Sequence, residues 1–503
     1  MTDNTRPNDA VPLSEATTSS SPLVPRASTW LVWGLFLLAA GLLAATTAGG
    51  YEPTVPGPFA VDGLTALMWA VVAFFSGIVH SYSRRYMAGD ERVEGFFARV
   101  LGFTLAVMTM AAADHLALFV AAWLAMGLLM ASLIGHDREW NQARAAAGLA
   151  RRYFVASSGL LAVAAAILAW TTGATTVTGV LEAVDGIPTT AALAAAGCLV
   201  LAAMIQSALL PFHRWLLSSM TAPTPASALM HAGFVNAGGV LLTRFAPVFA
   251  DRIGVMSAIV AVGAVSALAG QAMLLVQSDV KRTLGTSTVA QMGFMILQAG
   301  LGFFAAAITH LVLHGFYKAY LFLSSGAAVE QTAPTASYGD GRGLPALAVA
   351  GLTAVGGGAL FAALTGKGIT FDGGVALTFD SGLVLTLVVV LTTLHATRDV
   401  LRRTKLSPIV RLAATPLVVL SAIGVYGLLF EAISTVLADV PMYSAPTELT
   451  VVHGAVAALF VAGYAVTDLG WHRSSRRLYV TLLNLSQPNP DTVLTRTEDY
   501  DDA

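Results

Sequence analysis

Three residues of one apolar stretch could do proton chemistry: His310, His314 and Lys318, spaced i, i+4, i+8. On a helix they fall within about 80° of one face and span roughly 12 Å of its axis. Two imidazoles and an ammonium on a lipid-facing stripe would be costly, so such residues usually face a bundle interior or wet cavity and mark an ion path. Histidine titrates near neutral pH, and a desolvated ammonium sheds and regains its proton far more readily than one in water. The alternative is structural: histidines bonded to neighbouring helices and a lysine snorkelling to the interface.

The stretch that positions them, Asp279 to Gly326, is two apolar segments joined by a short glycine-containing turn. A second region, Gln206 to Arg244, contains Pro211, Pro223 and Pro225 with Thr221 and Thr224. Proline removes backbone donors and interrupts helices. Interrupted helices at membrane depth are tolerated only where they are buried in protein or line a cavity. His231, about one turn into the following segment, either faces that opening or satisfies a neighbour. A third region runs from Gly351 to Asp372, with Gly356, Gly357 and Gly358 followed by Lys367. Adjacent glycines permit a break or close helix packing, and Lys367 is either an interfacial anchor or an ammonium at the far end of the path.

Composition sets the environment. Of 503 residues 56% are hydrophobic and only 11% charged, against about 25% charged in soluble domains; mean hydropathy is +0.72. This is an all-α polytopic membrane protein, in contact with the lipid bilayer. With 27 Lys+Arg against 29 Asp+Glu, no nucleic-acid partner is expected. The single cysteine, Cys198, excludes an internal disulfide or a cysteine-based metal cluster. No cofactor or metal site is expected in this chain.

A helix needs about 20 apolar residues to span the hydrocarbon layer, and about 14 such segments occur, beginning near residue 29 and ending near residue 468. Residues 1–28 read as a disordered polar tail without a cleavable signal, 29–468 as the transmembrane domain, and 469–503 as a polar C-terminal tail, most simply a solvated end. Alternate loops carry arginine clusters, among them Arg84, Arg85 and Arg92, then Arg138, Arg144, Arg151 and Arg152; the loops at 49–59, 172–189 and 431–447 have no Lys or Arg. By the positive-inside rule both termini are cytoplasmic, in a plasma (inner) membrane.

The segments DVKRTLGTSTVAQMGFM (279–295), HLVLHGFYKAYLFLSSG (310–326) and LLPFHRWLLSSMTAPTPASALMHAG (209–233) together resemble the proton-conducting antiporter-like subunits. That family comprises the largest such subunit of respiratory complex I, Mrp-type cation/proton antiporter subunits and the DabB subunits of inorganic-carbon accumulators. HSYSRRYMAGDE (80–91), VDGLTALM at Asp62 and ADHLALFVAAW (113–123) match as well. The resemblance implies two inverted five-helix repeats, each with a broken helix, here near Gln206–Pro211 and Gly356–Lys367. It also implies that His231, His310, His314, Lys318 and Lys367 form a central polar axis.

Departures accompany the resemblance. Leu124 stands where the family usually has a glutamate after tryptophan, and Gln206 where it usually has the first broken-helix lysine. The Glu–Lys pair of the first half-channel is thus replaced, while the second half keeps its His/His/Lys stripe. The family's first helix and the long C-terminal lateral helix have no evident counterpart here. This pattern is most similar to DabB, which implies a cation-conducting, non-enzymatic subunit powering a large, mostly soluble DabA-type zinc hydratase. The alternative is a proton-translocating subunit of a complex I, a membrane-bound hydrogenase or an Mrp complex.

Overall fold

The computed structural model describes residues 23–49, 57–325, 343–370, 376–403 and 407–493. The first five helices are α1 (Leu23–Gly49), α2 (Gly63–Tyr86), α3 (Val93–Ala112), α4 (Leu116–Ile134) and α5 (Asn141–Thr172). The Asp62 side chain accepts from the Thr65 N–H and fixes the start of α2, the usual N-cap arrangement. After a short α6 (Val177–Glu182), α7 (Thr189–Gln206) enters the broken region, made of α8 (Arg214–Ser218), α9 (Thr224–Ala232) and α10 (Ala237–Arg244). Then follow α11 (Ile253–Leu274), α12 (Val280–Gly300), α13 (Phe304–Leu323), α14 (Leu344–Thr365), α15 (Gly382–Arg403), α16 (Pro408–Val436) and α17 (Val451–Asp468). Two short helices close the described chain, α18 (Trp471–Ser474) and α19 (Arg476–Leu485). Among the described residues, strand is confined to a two-residue antiparallel pairing of Ile369–Thr370 with Ala376–Leu377.

Twelve helical stretches among the described residues, counting Thr224–Arg244 as one, are long and apolar enough to cross a membrane. The chain is a multi-pass membrane protein. The other two of the fourteen expected spans are α12 and α13, which have full length, 21 and 20 residues. They are too polar to pass on composition because they carry Lys281, Arg282, His310, His314 and Lys318. Both have much of their surface buried against neighbouring helices, so their polarity meets protein rather than lipid.

Small residues set a close helix–helix contact where α11 crosses α12. An ideal Cβ added to Gly293 would lie 2.3 Å from the Ala267 nitrogen, and one on Gly270 would lie 2.4 Å from the Ala290 nitrogen. Gly263 and Gly300 are equally close to the opposing backbones of Leu297 and Val260. The seven-residue steps from 263 to 270 and from 293 to 300 keep these glycines on one seam, where backbones approach directly.

Two expectations are corrected and one open choice is decided. The helix at the amino end begins at Leu23, not Thr29, with Pro25 in its first turn, where a missing N–H costs nothing; residues 1–22 lie outside the described residues. Of the break and the close packing that Gly356–Gly358 permit, packing holds: α14 runs unbroken to Thr365, and it ends within the expected Gly356–Lys367 stretch, at Gly366 in the left-handed conformation (φ 64°). Gly357 and Gly358 instead admit Thr393, Ile423 and Val390 against the helix, so close packing is their role. Finally, residues 471–493 are folded and docked, not a solvated end. His213 Nε2 pairs with the Leu485 carbonyl at 2.9 Å, and the Asn489 N–H donates to Ser218 Oγ at 3.0 Å.

Glycine substitutions read out the seam. Gly293→Ala should lower thermal stability, by about 1–3 kcal/mol for a forced helix separation. Gly351→Ala, with nothing within 4 Å of its new Cβ, should be neutral or stabilising by up to about 1 kcal/mol. Thermal unfolding of detergent-solubilised variants distinguishes the two.

Candidate functional site: a buried polar axis

Lys318 is fully buried on α13. Its ammonium donates to the Leu284 carbonyl at 2.8 Å and to Ser287 Oγ at 3.0 Å, both on α12. The same carbonyl accepts from Thr288 Oγ1 at 2.9 Å, and Thr288 Oγ1 lies 2.9 Å from His231 Nδ1. With the threonine proton committed to Leu284, its oxygen accepts from the imidazole, so His231 carries its proton on Nδ1 and presents a bare Nε2. Among the described residues that Nε2 has no partner. The ring lies flat against Phe322, with centroids 4.5 Å apart. One hydrogen-bonded chain thus joins His231, Thr288, Leu284 and Lys318 across α9, α12 and α13.

One turn from Lys318 along α13, His314 is buried with both ring nitrogens unpartnered, and His310 stacks on it with centroids 5.9 Å apart. His314 lies within the electrostatic reach of Lys318, His310 and His231. Buried polar atoms without protein partners are normally satisfied by water, so these nitrogens mark a line along which water can bridge. Beyond His310, Gln298 is buried with its Oε1 unpartnered among the described residues, and its side chain lies close to Tyr426.

Lys367 closes the far end. It is buried, and its ammonium stands over the rings of Phe430 at 3.4 Å, Phe303 at 5.1 Å and Phe361 at 5.9 Å. Ring faces attract a cation without accepting its protons, and Nζ makes no hydrogen bond within the protein. An exposed interfacial anchor would look different, so of the two sequence readings the buried one holds. Phe303 immediately precedes α13, placing Lys367 at the opposite end of that helix from Lys318, roughly 20 Å away at 1.5 Å per residue.

Toward the arginine-rich side, Lys281 donates to the carbonyls of Met220 and Ala222 at 3.3 and 3.1 Å. These are carbonyls freed by the interruption between α8 and α9, and His231 feels the Lys281 charge. The sequence reading gave Lys281 no place in the axis. Thr288, Ser287, Gln298 and Tyr426 were also missed; uncharged residues at ordinary helical positions give no signal until neighbouring helices are placed beside them.

The first half is built differently. The chain breaks after Gln206 as expected, with Ala208 at φ 52°, and the freed groups are met by side chains: Ser207 Oγ donates to the Val235 carbonyl at 2.7 Å, and Ser266 Oγ accepts from the Leu210 N–H at 3.2 Å. Gln206 is buried with both amide atoms unpartnered. Leu124 is half-buried on α4, next to buried Trp123. Neither position holds a titratable group. A further interruption, Gly233 to Asn236, divides the span between α9 and α10 immediately after His231, where no proline announces it.

On the arginine-poor side, Arg244 at the end of α10 pairs with Asp62 and also donates to Thr65 Oγ1 at 3.1 Å and the Ala111 carbonyl at 3.3 Å. Asp439 accepts from the Gly63 N–H at 2.9 Å, tying the end of α16 to α2.

Comparison with known proteins decides the family. Residues 113–394 match the NADH:quinone oxidoreductase/Mrp antiporter transmembrane family, and residues 53–97 match the N-terminal region of complex I chain 5. The chain belongs to this antiporter family. Similar curated proteins include the probable inorganic carbon transporter subunit DabB1 of Halothiobacillus neapolitanus, 39% identical over 55% of this chain and 51% of that protein. The probable subunit DabB of Bacillus subtilis is 40% identical over 54% of each. NADH-quinone oxidoreductase subunit L of Mycobacterium tuberculosis is 36% identical over 54% of this chain and 43% of its own. The matches thus span about half the length of these relatives. In fold, the chain is similar to a subunit of the Mrp complex from Dietzia sp. DQ12-45-1b (TM-score 0.56, 22% identity, 93% of this chain and 51% of that one). It is likewise similar to the archaeal membrane-bound sulfane sulfur reductase (TM-score 0.57, 17% identity, 93% of each chain).

The outer clasp yields a pH test. Burial and the neighbouring Asp62 carboxylate push the Asp439 carboxyl above its ordinary value of 3.8, against the pull of the Gly63 N–H and Arg244. A carboxyl with a raised folded-state pKa binds more protons folded than unfolded, so its charge lowers stability as pH rises past the unfolded value. Asp439→Asn keeps an acceptor for Gly63, so it should raise or maintain the unfolding temperature at pH 7, with the difference shrinking as pH falls toward 4.

Proposed function

We propose that this chain is the cation-conducting membrane subunit, with H⁺ as the ion, of an energy-coupled inorganic-carbon accumulation complex. The observation that carries the reading is the buried axis from Lys281 past His231, Lys318, His314 and His310 to Lys367, in a chain about 39% identical over its central half to proteins named as inorganic carbon transporter subunits. On this reading the Leu284 carbonyl and Thr288 hold Lys318 and His231 in register, and the two exchange protons through water at the open Nε2 of His231. His314 and His310 pass the proton along α13 through bridging water, and Lys367 releases it at the far end. A cation held only by ring faces keeps its protons free for such a transfer. Catalysis belongs to a partner: a large, mostly soluble DabA-type hydratase that carries the zinc on the cytoplasmic side. Both termini then lie in the cytoplasm of a cell whose plasma membrane holds the complex.

A second reading, a proton-translocating subunit of a complex I, hydrogenase or Mrp assembly, is favoured by the matches to complex I chains at 33–36% identity. Against it stand Leu124 and Gln206, which leave the first half without a titratable pair. A mild-detergent pull-down with zinc analysis separates the two: one large zinc-containing partner supports the first, iron–sulfur and quinone-reactive subunits the second.

Lys318→Ala and His314→Ala should reduce coupled bicarbonate uptake to background while assembly, read by co-purification, is unchanged; full activity in either variant would refute the relay. Leu124→Glu alone should add nothing, because a lone carboxyl facing the membrane interior stays protonated.

A further inference from the structure

Away from the axis, α7 and α11 leave an open groove of about 440 Å³ between them, lined by Leu193, Gly197, Val200, Leu201, Val255 and Ala258, with Gly254 and Arg252 at its α11 end. Everything along its walls is apolar except Arg252. Leu193 and Leu201, both on α7, are 46% and 41% exposed, and α7 and α11 are each long and apolar enough to cross the membrane, so the groove opens onto lipid. Arg252 is not paired within the protein: its Nε is buried without a hydrogen-bond partner, and among the described residues no carboxylate lies within ion-pair distance of it, the adjacent Asp251 being exposed.

The rim is positive for a second reason. The helix α11 begins there, with no side chain capping its first N–H groups and no acidic residue in its first turn. Uncapped helix N-termini favour an anion, as does the partial positive charge of the helix dipole. Below the rim, a chain of carbon can lie along the groove without displacing protein, since a Cβ on Gly197 or Gly254 would meet nothing within 4 Å. A half-buried guanidinium at the rim of a lipid-facing groove attracts an anionic headgroup, and a phosphate diester with acyl tails supplies both what the guanidinium lacks and what the groove walls need.

We propose that this groove binds one anionic phospholipid, its phosphate on Arg252 and the first helix turn of α11, one acyl chain lying along Gly197 and Gly254. Nothing in the proton axis depends on it, and the site stands whether or not the ion reading holds.

The test uses the full chain, with whatever subunits co-purify, delipidated in detergent and titrated by native mass spectrometry with phosphatidylglycerol or phosphatidylcholine. Wild type should retain one phosphatidylglycerol at least about tenfold more tightly than phosphatidylcholine, whose choline ammonium competes with Arg252 for the same phosphate. Arg252→Gln should erase that preference while still taking up either lipid. Gly197→Leu, which fills the groove without touching the guanidinium, should lose both lipids, with an unchanged unfolding temperature showing that it is folded. Equal affinity for the two lipids in wild type, undiminished binding in Gly197→Leu, or displacement of the lipid by inorganic phosphate alone would each overturn the proposal.

Discussion

The bond between the Lys318 ammonium and the Leu284 carbonyl is the constraint around which this protein is arranged. A charge-bearing group inside a bilayer protein has no bulk water to fall back on, so it must find protein oxygen or hydrated space. Here the carbonyl of a continuous helix, already bonded within α12, is shared between the lysine and Thr288. A shared acceptor holds the ammonium in place without a carboxylate beside it. The lysine is therefore positioned but not neutralised by a countercharge, which suits a group whose proton is to move.

That arrangement requires α12 and α13 to be polar, and polar helices cannot face lipid. The rest of the bundle accounts for this by surrounding them. The glycine seam lets α11 approach α12 at backbone contact, and the helix interruptions around Gln206 and Gly233 bring α8, α9 and α10 against the axis from another side. Freed carbonyls at the first interruption hold Lys281; freed N–H groups and hydroxyls pair among Ser207, Ser266 and Val235. Broken backbone is thus converted into binding groups instead of being left unsatisfied.

The two ends of the axis use different chemistry for the same cation. Lys318 is fixed by oxygen, Lys367 by aromatic faces, with Glu431 the carboxylate whose charge reaches it. Gly366 in the left-handed conformation ends α14 one residue before Lys367 and turns its side chain into the ring cluster instead of along a helix. The first half of the chain keeps the broken helix but not the charges. Its buried Gln206, with every amide atom unpartnered, is a polar cavity residue that cannot titrate.

Much of this was legible in the sequence. Hydropathy marks twelve of the segments outright, because burying a backbone in lipid demands about twenty apolar residues and that demand is local. The spacing of His310, His314 and Lys318 gave one face, because 3.6 residues per turn is a property of the chain itself. The prolines of 211–225 marked the first interruption for an equally local reason. What only the tertiary structure decided is which surfaces meet. Thr288 is an unremarkable helix residue until α9 places His231 beside it, and Gln298 and Tyr426 are 128 residues apart in a chain with no pattern linking them. The triple glycine at 356–358 left a break open because glycine weakens an isolated helix; packing against Thr393, Ile423 and Val390 overrides that propensity. Lys367 could have been an anchor or an interior charge, and that choice rests on three phenylalanines drawn from separate segments. Residue types and their periods are written along one strand of sequence; partners across helices are set by how the whole bundle excludes lipid from its polar core.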